Sequence, residues 1–144
     1  IPLLGSGFVT DGTLPAQGEA AEGVKTTLHY AAGLDNPKNM AFQKAYTAAY
    51  GKAADIYAVQ GYDAGLLLVQ AMAAVNGNTK DRDALIKAME AVKIDSPRGA
   101  WTFSKAHNPV QNMYLREVKN GQNVVLQVAA EGLNDPATGC KMAM

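Results

Sequence analysis

The chain has 144 residues, a length that suits one ordinary domain with a core of its own. Apolar residues make up 48% and charged residues 18%, which excludes a disordered chain. Thirteen basic side chains balance thirteen acidic ones with no Lys/Arg cluster, which argues against nucleic acid and against an anionic membrane surface as partners.

The opening "IPLLGSGFVTDG" runs from an apolar segment into a glycine turn, so a strand ending at Leu3-Leu4 is expected to stop at Gly5. Thr13 to Ala21 reads as a short helix, with Pro15 in its first turn and Gly23 just past its end. "VKTTLHY", Val24 to Tyr30, is β-branched and aromatic enough for a strand. In "LDNPKN", Asp35 or Asn36 caps a helix with Pro37 at its first position. Along that helix Phe42, Ala45, Tyr46, Ala49 and Tyr50 recur at threes and fours and mark an apolar face. Lys38, Asn39, Gln43, Lys44 and Thr47 occupy the other side, and Gly51 closes the helix. A second helix, from about Tyr57 to Val75, is apolar nearly all round; Gln60, Asp63 and Gln70 fall on one narrow stripe. Such a helix is expected to be buried on most sides. From Asp83 to Val92, a third helix has a clean apolar face of Ala84, Leu85, Ala88, Met89 and Val92. Ala100 to Ser104 alternates weakly, as a strand. "MYLREVKNGQNVVLQVA" is two β-rich runs around Asn120-Gly121, the preferred pair for a type I′ hairpin turn. "NDPATGCKMAM" has no periodicity and reads as a loose end.

Three consecutive helices need a sheet to cover, and the middle third of the chain offers none. A parallel α/β domain alternates strand and helix instead. The chain also begins inside an apolar, strand-like run without Met. A fragment of something longer is therefore expected, with the missing sheet supplied elsewhere. Alone, the Tyr57–Val75 helix would expose a large apolar face, which predicts a second polypeptide carrying the N-terminal part.

Candidate chemistry is sparse. "GSGFVTDG" is a near miss for a dinucleotide fingerprint: Gly5 and Gly7 fit, but the third position is Thr10 and Gly12 comes two residues late. Ser6 has Leu4 where a nucleophile elbow needs glycine. His29 and His107 stand alone in sequence and read as structural. No catalytic constellation, metal site or cofactor motif emerges, so the chain does not read as an enzyme. Cys140 is unpaired within the chain; it is either a free thiol or a bridge to a cysteine elsewhere. Tyr57 enters the apolar helix at its N-terminus, where unpaired N–H groups could meet a carboxylate while the ring stacks on a ligand. Core packing of the ring is the competing reading.

Taken together, "IPLLGSG", "AAEGVKTTLHYAAGLDNPKNMAFQKAYTAAYGKAADIYAVQGYDA" and "IDSPRGAWTFSKAHNPVQNMYLREVKNG" resemble the periplasmic solute-binding proteins of ABC transporters, of the leucine/isoleucine/valine-binding type. The resemblance covers nearly the whole chain. It implies an α/β chain, the C-terminal part of a two-lobed type I periplasmic-binding-protein fold, with parallel sheets flanked by helices and a C-terminal β-hairpin. Residues 1–30 would belong to the second lobe, 31–105 would supply first-lobe helices, and 106–144 would finish the second lobe with the hairpin and tail. It implies an extracytoplasmic or periplasmic binding protein that delivers a small carboxylate to a membrane permease, and closure of the lobes over the ligand. In amino-acid-binding relatives the loop after the strand equivalent to Ile1–Leu4 carries a carboxylate for the ligand ammonium; the matching position here is Gly7, between Ser6 and Phe8. The aromatic that contacts the ligand side chain is matched by Tyr57. The "SPRG…SKAHNPVQNMYLREV" stretch is similar to the aromatic-acid-binding subgroup. Ser6, Gly7, Phe8 and Tyr57 are thus the expected ligand-binding residues, with an aromatic acid favoured over a branched-chain amino acid. A sensory domain of the same fold is a further alternative. His107 and Asn108 would lie in a hinge crossing with a structural role.

Overall fold

A computed structural model describes residues 2–139 and 141. Ile1 and Cys140 lie outside the described residues, and with them the two readings of the Cys140 thiol.

Two short N-terminal elements lead into the sheet. Strand β1 (Leu4–Ser6) runs through Gly5 instead of stopping there. The reason is tertiary: β1 lies parallel to β2 (Lys25–Leu28), with Leu4 opposite Lys25 and Ser6 opposite Thr27, and a glycine backbone pairs as well as any other. A single 3-10 turn at Gly7–Val9 follows, then the short helix α1 (Leu14–Gln17).

The three long helices follow the local signals closely. In α2 (Pro37–Tyr50), Asn36 is the cap that accepts from Asn39 N at 2.7 Å, Pro37 is first, and Gly51 closes it in the left-handed region at φ 70°. α3 (Ile56–Ala74) is capped by Asp55 and α4 (Arg82–Ala91) by Asp81, each through its side-chain oxygen. An isolated antiparallel bridge then joins Ile94 to Trp101, and one short strand, β3, spans Thr102–Phe103. β4 (Pro109–Lys119) and β5 (Gln122–Leu133) form the hairpin. Asn120 and Gly121 both have positive φ, 51° and 70°, as a type I′ turn requires. The Glu22 carboxylate accepts from both turn amides, at 3.1 and 2.7 Å.

β4 is the strand that joins the fold. It pairs antiparallel with β2, with β3 and along its length with β5, so the sheet is mixed. Tyr114, Arg116 and Val118 point inward from it at strict period two. Two clusters make the core. Leu28 and Tyr30 pack on Ile56 and Val59 at the start of α3. Further along α3, Ala71 packs with Val92, Ile94 and Trp101.

One burial expectation, on α2, is corrected in part. In α2 the covered residues come from both sides: Asn39 is buried, and Phe42, Gln43 and Tyr46 are half-buried. Asn39 donates to Ala32 O and Leu34 O and accepts from Tyr30 Oη. Gln43 is half-buried and exchanges hydrogen bonds with Ala54 at both its amide atoms. Ala45, Ala49 and Tyr50 are exposed instead. The chain's own loop 31–35 and Tyr30 sit against the Asn39 side, and Phe42 packs on the Leu28, Tyr30, Ile56 and Val59 cluster with its ring 5.0 Å from that of Tyr62. In α3, only Ile56, Val59, Asp63 and Ala71 are buried, whereas Tyr57, Leu68, Val69 and Met72 are exposed, the open apolar face expected of this helix in these residues alone. No helix among the described residues is long and apolar enough to cross a membrane.

Candidate functional site

The turn after β1 is built around one buried cation. Arg116 is fully buried on β4. Its Nη1 donates to Tyr30 O at 2.8 Å, and its Nη2 donates to Gly7 O at 3.1 Å and to Thr26 Oγ1 at 3.1 Å. The charge is met by Asp11, whose Oδ2 lies 2.7 Å from Nη2 at an angle outside hydrogen-bond geometry. A buried guanidinium with its donors engaged and a carboxylate beside it is the affordable form of internal charge. Gly7 closes this arrangement. A Cβ there would stand 2.5 Å from Leu28 Cβ and 2.6 Å from Arg116 Nη2. The residue is glycine because β2 and the guanidinium already fill the space of a side chain.

A second polar cluster lies under α3. Asp63 Oδ2 accepts from Arg98 Nε at 2.6 Å and from Trp101 Nε1 at 2.9 Å, and all three residues are buried. The Arg98 guanidinium sits 4.8 Å over the Trp101 ring. Tyr114 Oη donates to Arg98 O at 2.8 Å, and Asn36 Nδ2 donates to Pro97 O at 3.0 Å, so the "SPRG" loop ties α2, α3 and β4 together. Beside it, the Gln60 amide faces His29 Nε2 at 3.4 Å. Burial, then the positive charges of Arg98 and Arg116, push the His29 imidazole down to about 4, so the ring is neutral at pH 7. Among the described residues no group of three metal-ligating side chains assembles.

Two concavities accompany these clusters. One of about 990 Å³ lies between the 31–35 loop, the start of α3 and the hairpin, and reaches Asp11 and Arg116. The other, about 410 Å³, is lined by His29, Gln60, Asp63, Arg98, Trp101 and Gln111, among others.

The four expected ligand-binding residues are distributed as follows. Ser6 is exposed at the end of β1, and Gly7 is buried against Arg116. Phe8 is 51% exposed and Tyr57 59% exposed, so neither ring is a core side chain in these residues. Tyr57 follows the capped start of α3, two residues after Asp55. None of the four lines either concavity. Ser6 does share a sheet face with its neighbours: it pairs with Thr27, and His29 follows two residues on.

Sequence reasoning placed Asp63 only on a narrow polar stripe of its helix and missed Arg98, Arg116 and Gln111. A charge at the middle of the inward run Tyr114, Arg116, Val118 was the available signal for Arg116. His29 and His107, without a readable partner in sequence, have partners in space: Gln60 for His29, and for His107 the Glu90 carboxylate at 2.8 Å. Asn108 Nδ2 donates to Asp135 Oδ2 at 2.7 Å.

Comparison with known proteins bears on this arrangement. A profile of the family described as "Periplasmic binding protein" matches residues 1–123. The Leu/Ile/Val-binding protein homolog 6 of Brucella abortus (strain 2308) is 36% identical over 122 residues, covering 82% of this chain and 31% of the relative. A solved solute-binding protein of an ABC transporter from R. palustris, in complex with benzoate, is 52% identical with a TM-score of 0.91. That match covers 98% of this chain and 39% of the solved one. Another, from Rhodopseudomonas palustris HaA2 in complex with p-hydroxybenzoic acid, is 32% identical with a TM-score of 0.82, over 95% of this chain and 39% of its own length. The chain thus spans less than two-fifths of these relatives. It belongs to the periplasmic binding protein family, and its mixed α/β fold is part of a type I periplasmic binding protein.

Proposed function

We propose that this chain is part of the extracytoplasmic solute-binding component of an ABC importer, with a small aromatic carboxylate as its ligand, bound in a cleft between two lobes. The observation that carries the reading is the similarity to the benzoate-bound protein, at 52% identity over 98% of this chain. In this reading residues 1–30 and 106–144 belong to the second lobe and 31–105 to the first. The pairing of β2 with β4, with all three long helices inserted between them in sequence, supports that division. The protein works by binding and release, without catalysis. Its partners are the ligand, a membrane permease and the remainder of the same protein, which relatives carry and these residues lack.

Ser6, Gly7, Phe8 and Tyr57 form the part of the ligand wall that this chain contributes. Phe8 and Tyr57 offer exposed rings for stacking, and Ser6 offers a hydroxyl. Gly7 has no room for a carboxylate while Arg116 stays in place. An amino acid's ammonium would be desolvated at this wall without a countercharge, which is costly. An aromatic acid has no ammonium to satisfy.

A branched-chain amino acid is the second reading, favoured by the similarity to the Leu/Ile/Val-binding protein homolog. Thermal unfolding of the full-length protein separates the two. At a hundredfold excess over Kd a ligand stabilises by about 2.7 kcal/mol, a readable rise in Tm. Benzoate or a hydroxybenzoate should raise Tm and leucine should not. A rise with leucine and none with any aromatic acid overturns the first reading.

A further inference from the structure

The loop that delivers Tyr57 to α3 is held by one side chain. Lys52 and Ala53 are exposed, and among the described residues no backbone–backbone hydrogen bond holds Lys52, Ala53 or Ala54. Ala54 is nevertheless buried. From α2, Gln43 Oε1 accepts from Ala54 N at 2.9 Å and Gln43 Nε2 donates to Ala54 O at 2.8 Å. A primary amide that meets both the N–H and the C=O of one residue satisfies its backbone as a strand partner would and fixes its place. The next residue, Asp55, caps α3 through Ala58 N at 2.8 Å, and Tyr57 stands in that first turn.

The same amide ties the loop to the turn after β1. With its second N–H, Gln43 Nε2 donates to Tyr30 Oη at 2.7 Å, and Tyr30 Oη donates to Asn39 Oδ1 at 2.8 Å. Burial pushes the Tyr30 phenol up to about 12, so it keeps the proton for that bond. The Tyr30 carbonyl accepts from Arg116 Nη1 at 2.8 Å, and Arg116 Nη2 donates to Gly7 O at 3.1 Å. Tyr30 is 1% exposed and Arg116 fully buried. A continuous run of contacts thus leads from Gly7, through Arg116, Tyr30 and Gln43, to the residue that precedes the cap of α3. Tyr30 is where the second-lobe segment 1–30 ends in the reading above, so in that reading the run passes from one lobe to the other.

We infer that Gln43 is a positioning residue for the ligand wall: it holds the 52–54 loop, and so the ring of Tyr57, in a fixed place relative to the Ser6–Phe8 turn before a ligand arrives. The inference rests on the aromatic-acid reading above, in which Tyr57 and that turn are wall, and adds what sets their spacing. Gln43 acts through Tyr57 and not by touching the ligand. Without its amide the loop loses its ties to α2 and to Tyr30 together. The ligand would then have to order the loop as it binds, which lowers the affinity.

The test is calorimetric titration of the full-length protein with benzoate, in the wild type, Gln43→Met, Tyr57→Ala and the double variant. Methionine keeps the length of glutamine and removes its donors. Gln43→Met should bind benzoate about tenfold more weakly than the wild type. In the Tyr57→Ala background the same substitution should change affinity by less than about twofold, because the residue it places is gone. A glutamine that only stabilises the fold lowers Tm and leaves the affinity of the folded protein alone, as Ile94→Val in the other core cluster should do. Tyr30→Phe keeps the carbonyl that Arg116 holds and drops the bond from Gln43; it is the milder second variant and should weaken binding in the same direction. Wild-type affinity in both Gln43→Met and Tyr30→Phe, or an undiminished effect of Gln43→Met when Tyr57 is alanine, overturns the positioning role while leaving the aromatic-acid reading standing. Failure of the wild-type protein to bind benzoate or a hydroxybenzoate overturns both.

Discussion

Replacing Gly7 by alanine tests the packing around Arg116 with a single methyl group. The backbone at Gly7 lies outside the left-handed region, so alanine meets no conformational strain. On entropy alone the change would stabilise by about 0.4–1 kcal/mol. The new Cβ, however, would stand 2.5 Å from Leu28 Cβ, 2.9 Å from Leu28 Cγ and 2.6 Å from Arg116 Nη2. Relaxed contacts between carbon atoms are about 3.5–4.0 Å, so β1 and β2 must part by about 1 Å. Leu28 cannot retreat, because its strand is paired on both sides, with β1 and with β4. Arg116 can retreat only by giving up its contacts to Gly7 O and Thr26 Oγ1. Overpacking costs about 1–3 kcal/mol, and a charged hydrogen bond is worth about 1.5–3 kcal/mol. The net expectation is a loss of about 2–4 kcal/mol, read as a lower urea midpoint at unchanged slope for the full-length protein. Gly5→Ala is the control: its Cβ would meet only the Val9 side chain, Cγ2 at 3.4 Å and Cβ at 3.9 Å, both ordinary contacts, and should be close to neutral. A Gly7→Ala protein that unfolds at the wild-type midpoint, or a Gly5→Ala protein that is equally damaged, refutes the reasoning.

Three further outcomes are expected. His29 has a folded pKa of about 4 against an ordinary 6.5, so between these values the unfolded state binds the extra proton. Stability is then fully present above pH 6.5 and falls as pH drops toward 4. The ring is partly exposed, so the full shift is discounted to about 1–2 kcal/mol. A His29→Asn variant whose stability falls just as steeply between pH 6.5 and 5 would remove His29 as the cause. Asn39→Ala leaves the Tyr30 O–H without its acceptor and Ala32 O and Leu34 O without their donor, and should cost about 2–4 kcal/mol, measured by chemical denaturation; a loss below about 1 kcal/mol would contradict the burial of this network. Gly121→Ala places a Cβ at φ 70° in the hairpin turn and should cost about 1–2 kcal/mol, whereas Gly61→Ala, inside α3 with open space around its Cβ, should be neutral or stabilising. Equal effects of the two substitutions on Tm would argue against the type I′ turn.

The sequence by itself determined what is local. Asp35 or Asn36, with Pro37, was to open α2 and Gly51 to close it, and the fold caps it with Asn36, because a capping oxygen, a fixed φ and a left-handed glycine act within one turn of chain. Asn120-Gly121 located the hairpin for the same reason. The order and spacing of several motifs carried the family, because they recur together over nearly the whole chain. Tertiary structure alone decided which faces are covered. Periodicity shows which residues share a side of a helix and leaves open which side meets a neighbour. The 31–35 loop and Tyr30 settled on the polar side of α2 and made Asn39 a buried residue. Asp63 read only as part of a narrow polar stripe until the chain brought Arg98 and Trp101 to it from more than thirty residues away. Gly7, read first as a position that lacks a carboxylate, lacks any side chain because Arg116, 109 residues later, occupies the space. Each of these depends on partners that meet only when the chain is folded, and polar groups go inside wherever such partners satisfy them.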